Sequence, residues 1–335
     1  MPLSKPVTLS LNAWRTIFGE DTKVENWAKE KYLSKIHTEV NRERGPGWVQ
    51  LSGHRSVVVS ESLDFPEPRR GILLKGGCDL PSVFTAAPLM RDDIRGTVAM
   101  ARHIWGTGGN RSDQILQTLD GVDPDKVAET REMLKIGPDY FEPSFFDPTF
   151  PVPQIPEAGD FPKSVVVMGI ATDETRQMYR HKEHGFIIDP GGWWLNQDLG
   201  RVLKDLDTVD WFRANFERVG RLSVDEFKSN TRRLVSEIRS RMGSQVIFYN
   251  ALALDPANPT HNYQLVKTAH AARRREFTIA LAELSAELNF SIVDIDRILK
   301  NMGVEEQVDF AHFPVDRMGP IGAEVHRILE AIDFV

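Results

Sequence analysis

Apolar residues along the chain switch between two patterns. Short continuous apolar runs occur at Ile72-Leu73-Leu74, Val165-Val166-Val167-Met168 and Val246-Ile247-Phe248-Tyr249, and Val98 to Ile104 and Phe290 to Ile295 are further strand candidates. Runs of that length suit strands buried on both faces. Between them apolar positions recur at helical spacing: Ile115, Leu116 and Leu119; Val224, Phe227, Leu234, Ile238 and Met242; Phe277, Leu281, Leu284 and Leu288; Val325, Ile328, Leu329 and Ile332. The punctuation agrees with this. Ser112 is placed to cap a short helix and Asp123-Pro124 to start another. Ser223 and Glu226 have capping-box spacing, and Gly243 stops the helix that follows. Strand and helix alternating through short joins predicts an α/β fold, a mostly parallel sheet flanked by helices, with its chemistry at the carboxyl ends of the strands.

Outside that alternation the pattern weakens. Val24, Trp27, Ala28, Tyr32, Ile36 and Val40 fall near one helical face, which Arg44-Gly45-Pro46-Gly47 ends; Arg55 to Ser60 reads as a short strand. Residues 1–65 are therefore an N-terminal, helical extension without an assigned role, and 66–335 the α/β domain. Residues 136–163 form an insertion rich in proline and aromatics. Together with the Gly/Trp loop at 189–196 it is expected to overhang the pocket.

Composition narrows the classes. With 335 residues, 41% hydrophobic and 27% charged, the chain buries a large core and disorder is not expected. The formal net charge is -7 and Lys and Arg form no block, so nucleic acid is not the expected partner. No apolar stretch approaches a membrane span, and Met1 to Trp14 lacks the apolar run of a signal peptide. The single cysteine excludes an internal disulfide and suits a reducing compartment, so the cytoplasm is the expected location.

That cysteine, Cys78, follows an apolar strand and the pair Gly76-Gly77. A turn there sets its side chain at the carboxyl edge, with backbone N–H groups left to face an oxyanion. A nucleophilic thiol needs a lowered pKa, which a helix N-terminus or an imidazole supplies; the alternative is a buried structural thiol. Asp309 and His312 stand three apart just before the last helix, so the Asp can orient the imidazole and the His can act as general base. Gly106-Thr107-Gly108-Gly109-Asn110 is a glycine-rich turn without a Walker A ending; it either connects or brings an N–H to the oxyanion. Arg176 and Arg180, read as one helical turn apart, either hold an anionic group or form a solvated face. His181, His184 and Asp189 do not have metal-ligand spacing, and no metal is expected; Trp194 and Asn196 read as pocket wall.

The order of these parts resembles the SGNH (GDSL-like) hydrolases over residues 70–335. Gly76-Gly77-Cys78 stands where that family carries Gly-Asp-Ser, Gly106 to Asn110 where it carries its G-x-x-G-N turn, Gly169-Ile170-Ala171-Thr172-Asp173 where it carries G-x-N-D, and Asp309-Phe310-Ala311-His312 where it carries D-x-x-H. The resemblance implies flavodoxin-like layering and a triad of Cys78, His312 and Asp309. It also implies an oxyanion hole near Gly77 and Gly109. The third block lacks its asparagine, for which Asn110 and Asn250 are substitutes. Cys78 also gives a partial likeness to capsule-polysaccharide acetyltransferases with a G-N-C-Q motif. The implied function is esterase or acyltransferase chemistry through an acyl-cysteine, on a small-molecule donor and acceptor. No cofactor is implied beyond an acyl-CoA co-substrate. The alternative is a non-catalytic protein on the same fold that binds a small molecule or carbohydrate.

Overall fold

The computed structural model describes residues 41–45, 48–52, 56–60, 70–75, 83, 97–101, 111–136, 140–143, 146, 163–190, 199–203, 205–253, 269–303 and 318–335. In chain order the strands are β1 (Asn41–Gly45), β2 (Trp48–Ser52), β3 (Ser56–Ser60), β4 (Arg70–Lys75), β5 (Thr97–Ala101), β6 (Lys163–Gly169), β7 (Met178–His181), β8 (Ile187–Ile188), β9 (Phe216–Gly220), β10 (Gln245–Tyr249) and β11 (Ser291–Val293). The helices are α1 (Ser112–Asp120), α2 (Pro124–Leu134), α3 (Ala171–Thr175), α4 (Leu199–Leu203), α5 (Leu206–Asn215), α6 (Val224–Met242), α7 (Ala269–Leu288), α8 (Ile295–Asn301) and α9 (Met318–Ala331).

The main sheet runs β1-β2-β3-β5-β4-β6-β10-β11. Its last five strands are mutually parallel, as the apolar runs predict. β1, β2 and β3 add to the β5 edge as an antiparallel meander. Residues 41–45 and 48–52, counted from the sequence with a helical extension, thus join the sheet instead, beside the strand expected at Arg55 to Ser60. The register of β4 against β6 pairs Lys75 with Met168, and β6 against β10 pairs Gly169 with Tyr249.

Strand pleating divides the core into two layers. Ile72, Leu74, Val165, Val167, Ile247, Tyr249 and Val293 face α8 and α9, packing on Leu299, Ile321, Val325 and Leu329. Leu73, Val166, Met168, Val246 and Phe248 face α1, α6 and α7, packing on Ile115, Phe227, Leu234, Phe277 and Leu281. Both faces are covered, which is why these strands read as unbroken apolar runs rather than alternating ones.

The end signals act as their chemistry requires, with two exceptions. Ser223 and Glu226 make both bonds of the capping box, and Gly243 closes α6 in the left-handed conformation at φ 63°. Asp123 caps α2 with Pro124 at its first position. Ser112, by contrast, is the first helical residue of α1, and its N–H is taken by the Asp173 carboxylate at 2.7 Å. β11 stops at Val293 because Asp294 accepts the Arg297 N–H at 3.1 Å and starts α8, leaving the apolar Ile295 to the helix.

A smaller antiparallel sheet, β8-β7-β9, lies between α3 and α6 in the chain. Its core gathers Val127, Tyr140, Phe141, Tyr179, Phe186, Ile188, Phe212 and Phe216. Gln117 of α1 docks it by accepting the Ile187 N–H at 2.6 Å and donating to the Ile187 carbonyl at 2.9 Å. Tyr140 and Phe141 come from the aromatic insertion expected to overhang a pocket, yet they are buried, and the Tyr140 hydroxyl accepts the Asp189 N–H at 2.7 Å. This part of the insertion is core. Residues 137–139, 144–145, 147–162 and 191–198 lie outside the described residues. Among the described residues, no helix is long and apolar enough to cross a membrane.

Candidate active site

Within the parallel block the chain begins at β4, steps to β5 on one side, then returns to β6 on the other and continues to β10 and β11. The reversal between β4 and β6 is a topological switch point, where the connections leave in opposite directions and open a crevice at the carboxyl ends. Cys78 comes three residues after Lys75, the last residue of β4. Chain connectivity keeps its Cα within about 11 Å of that of Lys75. The N-terminus of α9 is at the same edge, because its other end lies at the amino edge, where the Ile332 carbonyl accepts from Gln245 at the start of β10.

Charged side chains are buried across this edge. Lys75 is 1% exposed and its Nζ lies 3.5 Å from Oδ2 of Asp173, itself 2% exposed. The other oxygen of Asp173 accepts the Ser112 N–H. One carboxylate therefore ties the end of β4, the turn after β6 and the first residue of α1 together across the switch point. Asp173 is the residue that stands in the G-x-N-D position, and its described contacts are structural.

The next residue, Glu174, is 0% exposed, and among the described residues neither of its carboxylate oxygens has a hydrogen-bond partner. Arg274 of α7, also buried, brings its Nε to 3.6 Å and donates from Nη1 to the Leu252 carbonyl. Arg273 donates to the backbone carbonyl of Glu174 and lies over the Phe277 ring at 4.4 Å. Burial pushes the Glu174 carboxyl from its ordinary 4.5 up to about 8; Arg274 and Arg273 oppose the rise and Asp173 adds to it.

A folded-state value above the unfolded one means that the native protein holds a proton which the unfolded chain releases. The contribution is complete below about 4.5 and is lost as pH rises towards about 8. Glu174→Gln is expected to flatten this slope. Between pH 5 and pH 8 the wild type should lose on the order of a few kcal/mol more unfolding free energy than the variant. Urea titrations of both proteins across that range measure the difference, and parallel slopes would mean that Glu174 is charged throughout.

Of the residues predicted from sequence, Asn250, Arg176 and Arg180 fall among those described. Asn250 ends β10, as expected, but its amide Nδ2 donates to Asp294 at 2.7 Å and its Oδ1 accepts the Asp296 N–H at 3.3 Å. It lies two strands from β4 and knits β10 to α8, with its amide engaged there. Arg176 and Arg180 are not a helical turn apart, because α3 ends at Thr175 and β7 begins at Met178. Arg176 is buried with its Nε 3.6 Å from Asp189, while Arg180 is exposed on β7. Burial holds the Arg176 guanidinium below its ordinary range and Asp189 opposes this.

The histidine-rich stretch is a turn. Nδ1 of His181 accepts the N–H groups of Glu183 and His184 at 3.3 and 3.2 Å, and the two imidazoles stack at 4.5 Å. Burial, then His184, lowers the His181 pKa. Among the described residues no three His, Cys, Asp or Glu side chains gather as a metal would require. Cys78, Asp309, His312, Gly77, Gly109, Asn110, Trp194 and Asn196 lie outside the described residues.

Lys75, Glu174 and Arg274 were not anticipated. The signal for Lys75 was a charge on the last position of an apolar strand, and for Glu174 a second carboxylate directly after Asp173.

No protein-family model matches the chain. No curated protein matches it closely enough to count as a relative. Among solved structures it is similar to a mutant of an acetyl-xylooligosaccharide esterase from Geobacillus Stearmophilus, at 10% identity and a TM-score of 0.38, covering 80% of this chain and 96% of that one. It is also similar to a lipase/acylhydrolase from Enterococcus faecalis, at 13% identity and a TM-score of 0.39, covering 78% and 96%. A third is described as a GDSL-like lipase from Parabacteroides merdae, at 12% identity and a TM-score of 0.38, covering 80% and 98%. Superpositions this loose carry no argument; the strand order of the chain itself does.

Proposed function

We propose that this protein transfers acyl groups through a covalent acyl-cysteine, with Cys78 as nucleophile, His312 as general base and Asp309 orienting the imidazole. Cys78 attacks the carbonyl carbon of an ester or thioester and His312 takes the thiol proton. The tetrahedral oxyanion collapses, expelling the alcohol or thiol, which His312 protonates. Water then releases the acid, as in an esterase, or a hydroxyl or amine takes the acyl group, as in a transferase. The transferase branch takes an acyl-CoA as donor. Backbone N–H groups near Gly77 and Gly109, with Asn110, hold the oxyanion. Trp194 and Asn196 line the pocket.

One observation carries this reading. Successive strands are added on opposite sides of β4, β5 on one and β6 on the other, and the single cysteine follows β4 by three residues. Ligands of open parallel sheets bind at such a point. The D-x-x-H pair precedes α9, whose N-terminus is at the same edge.

A second reading, a non-catalytic binding protein, is favoured by a different observation: the Asn250 amide and the Asp173 carboxylate are both engaged in structural contacts. The rate of iodoacetamide alkylation against pH separates the two. A catalytic Cys78 alkylates with a midpoint well below the free-thiol value of about 8.5, while an inert thiol or an ordinary midpoint supports the binding protein.

A further inference from the structure

Arg218, on β9, and Arg221, just after it, carry guanidinium groups that no carboxylate among the described residues pairs with. The chain turns at Gly220, with φ at 90°, a conformation that glycine adopts without strain. Two arginines from elsewhere grip the backbone on either side of Arg221. Nη1 of Arg111 donates to the Gly220 carbonyl at 2.7 Å, and Nη2 of Arg273 donates to the Leu222 carbonyl. The backbone of Arg221 is thereby fixed between two further cations. Among the described residues neither Arg221, half-buried, nor Arg218, exposed, has a hydrogen bond or ion pair of its side chain.

Of the nearby described carboxylates, Asp113 and Glu226 are engaged elsewhere, Glu174 is neutral, and Glu276 acts on Arg273. Asp113 is held by both arms of Arg111 at 2.8 and 2.6 Å. Glu226 accepts the N–H and hydroxyl of Ser223 in the capping box. Glu276 of α7 acts on Arg273, but among the described residues no carboxylate acts on Arg221. Glu174, beneath Arg273, is largely protonated at neutral pH because burial raises its pKa to about 8. Burial and then Arg218 depress the Arg221 guanidinium, and burial and then Arg221 depress that of Arg273, which marks the three as electrostatic neighbours.

The location is at the reactive edge. α6 returns the chain to β10 and α7 returns it to β11, so the starts of both helices lie at the carboxyl ends of the strands. Arg221 comes three residues before the first residue of α6, and Arg273 is in the second turn of α7. The same Arg273 touches the carbonyls of Glu174 and Asp173, the residues after β6 at the switch point.

We propose that Arg218 and Arg221, backed by Arg273, form a binding site for a phosphate-bearing group at the carboxyl edge of the sheet. Guanidinium groups present paired N–H donors that match the oxygens of a phosphate, and like charges held together without an anion are relieved by one. Assigning that phosphate to the acyl donor or acceptor rests on the acyl-transfer reading; the anion site does not. It takes over the role that the sequence assigns to Arg176 and Arg180.

Calorimetric titration of the full chain with inorganic pyrophosphate at low salt tests the site. Binding by the wild type is expected, weakened about tenfold in Arg221→Met and again in the Arg218→Met/Arg221→Met pair. Arg213→Met, at an exposed arginine that pairs with Asp210 on α5, is expected to bind as the wild type does. Thermal unfolding confirms that each variant is folded. Should the pair not fold, Arg221→Lys, which keeps the charge and loses the paired donors, is expected to bind more weakly than wild type. A wild type that gives no heat up to about 10 mM pyrophosphate, or variants that bind as it does, would overturn the proposal. The titration does not depend on Cys78 reacting, so the two readings fail separately.

Discussion

Cys78→Ala is expected to lose all measurable turnover and to unfold at close to the wild-type temperature. The chain has no second cysteine that could substitute, and alanine offers no lone pair to attack a carbonyl. Covalent routes lose on the order of 10^4-fold or more in kcat when the nucleophile is removed, because what remains is only binding and oxyanion stabilisation. Cysteine and alanine are both small, so the fold tolerates the change. Asp309→Asn is expected to cost less, since it mis-orients the imidazole while the thiol and the base remain. Turnover of a chromogenic acetyl ester, with thermal unfolding of the same samples, measures both. An alanine variant as active as wild type would remove Cys78 from the mechanism.

Lys75→Met is expected to destabilise the protein by about 3–5 kcal/mol, because it leaves the Asp173 carboxylate buried without its cation. Lys75 and Asp173 are 1% and 2% exposed, so water cannot replace the lost partner. Asp173→Asn should also be costly, as it strands the ammonium. The double variant Lys75→Met/Asp173→Asn is expected to recover much of the loss, since an amide still accepts the Ser112 N–H and no charge remains. Urea unfolding of the three variants gives the coupling. Additive losses would mean that the two groups do not interact. Because this pair joins β4 to the turn after β6, loosening it should also loosen the crevice, so Lys75→Met is expected to lower turnover beyond its effect on the folded fraction.

The strands at the centre of the sheet are legible in the sequence because they are covered on both faces. β4, β6 and β10 show no polar interruption inside, and α6 announces itself by its capping box and its terminal glycine. The edges are not legible in the same way. β1 and β2 carry Asn-Arg-Glu-Arg-Gly and Trp-Val-Gln-Leu-Ser, with no sustained alternation, and the pairing of β1 with β2 and of β2 with β3 comes from position. Ile295 looked like the end of a strand because a buried strand and the first turn of a buried helix are both apolar; the cap at Asp294 decides the matter.

The small sheet is hidden for another reason. β7 has four residues and β8 two, too short for either period to register, so Arg176 and Arg180 read as helical when they are not. At the site, Lys75 and Asp173 are 98 residues apart in the chain, and each alone looks like a solvated charge. Their meaning depends on the sheet bringing β4 beside β6. Asn250 was found correctly at the end of a strand, but the end of β10 meets α8 rather than the switch point.

The most direct test of the acyl-cysteine is intact-protein mass spectrometry after brief incubation with a panel of acetyl esters, thioesters and acetyl-CoA, quenched in acid. The account predicts a gain of a single acetyl group on the wild type, localised to Cys78 by peptide mapping. That mass should be absent from Cys78→Ala and form far more slowly in His312→Gln, which lacks the base that takes the thiol proton. A wild type that turns over the ester with no adduct at Cys78, or an adduct of equal yield in Cys78→Ala, would contradict it.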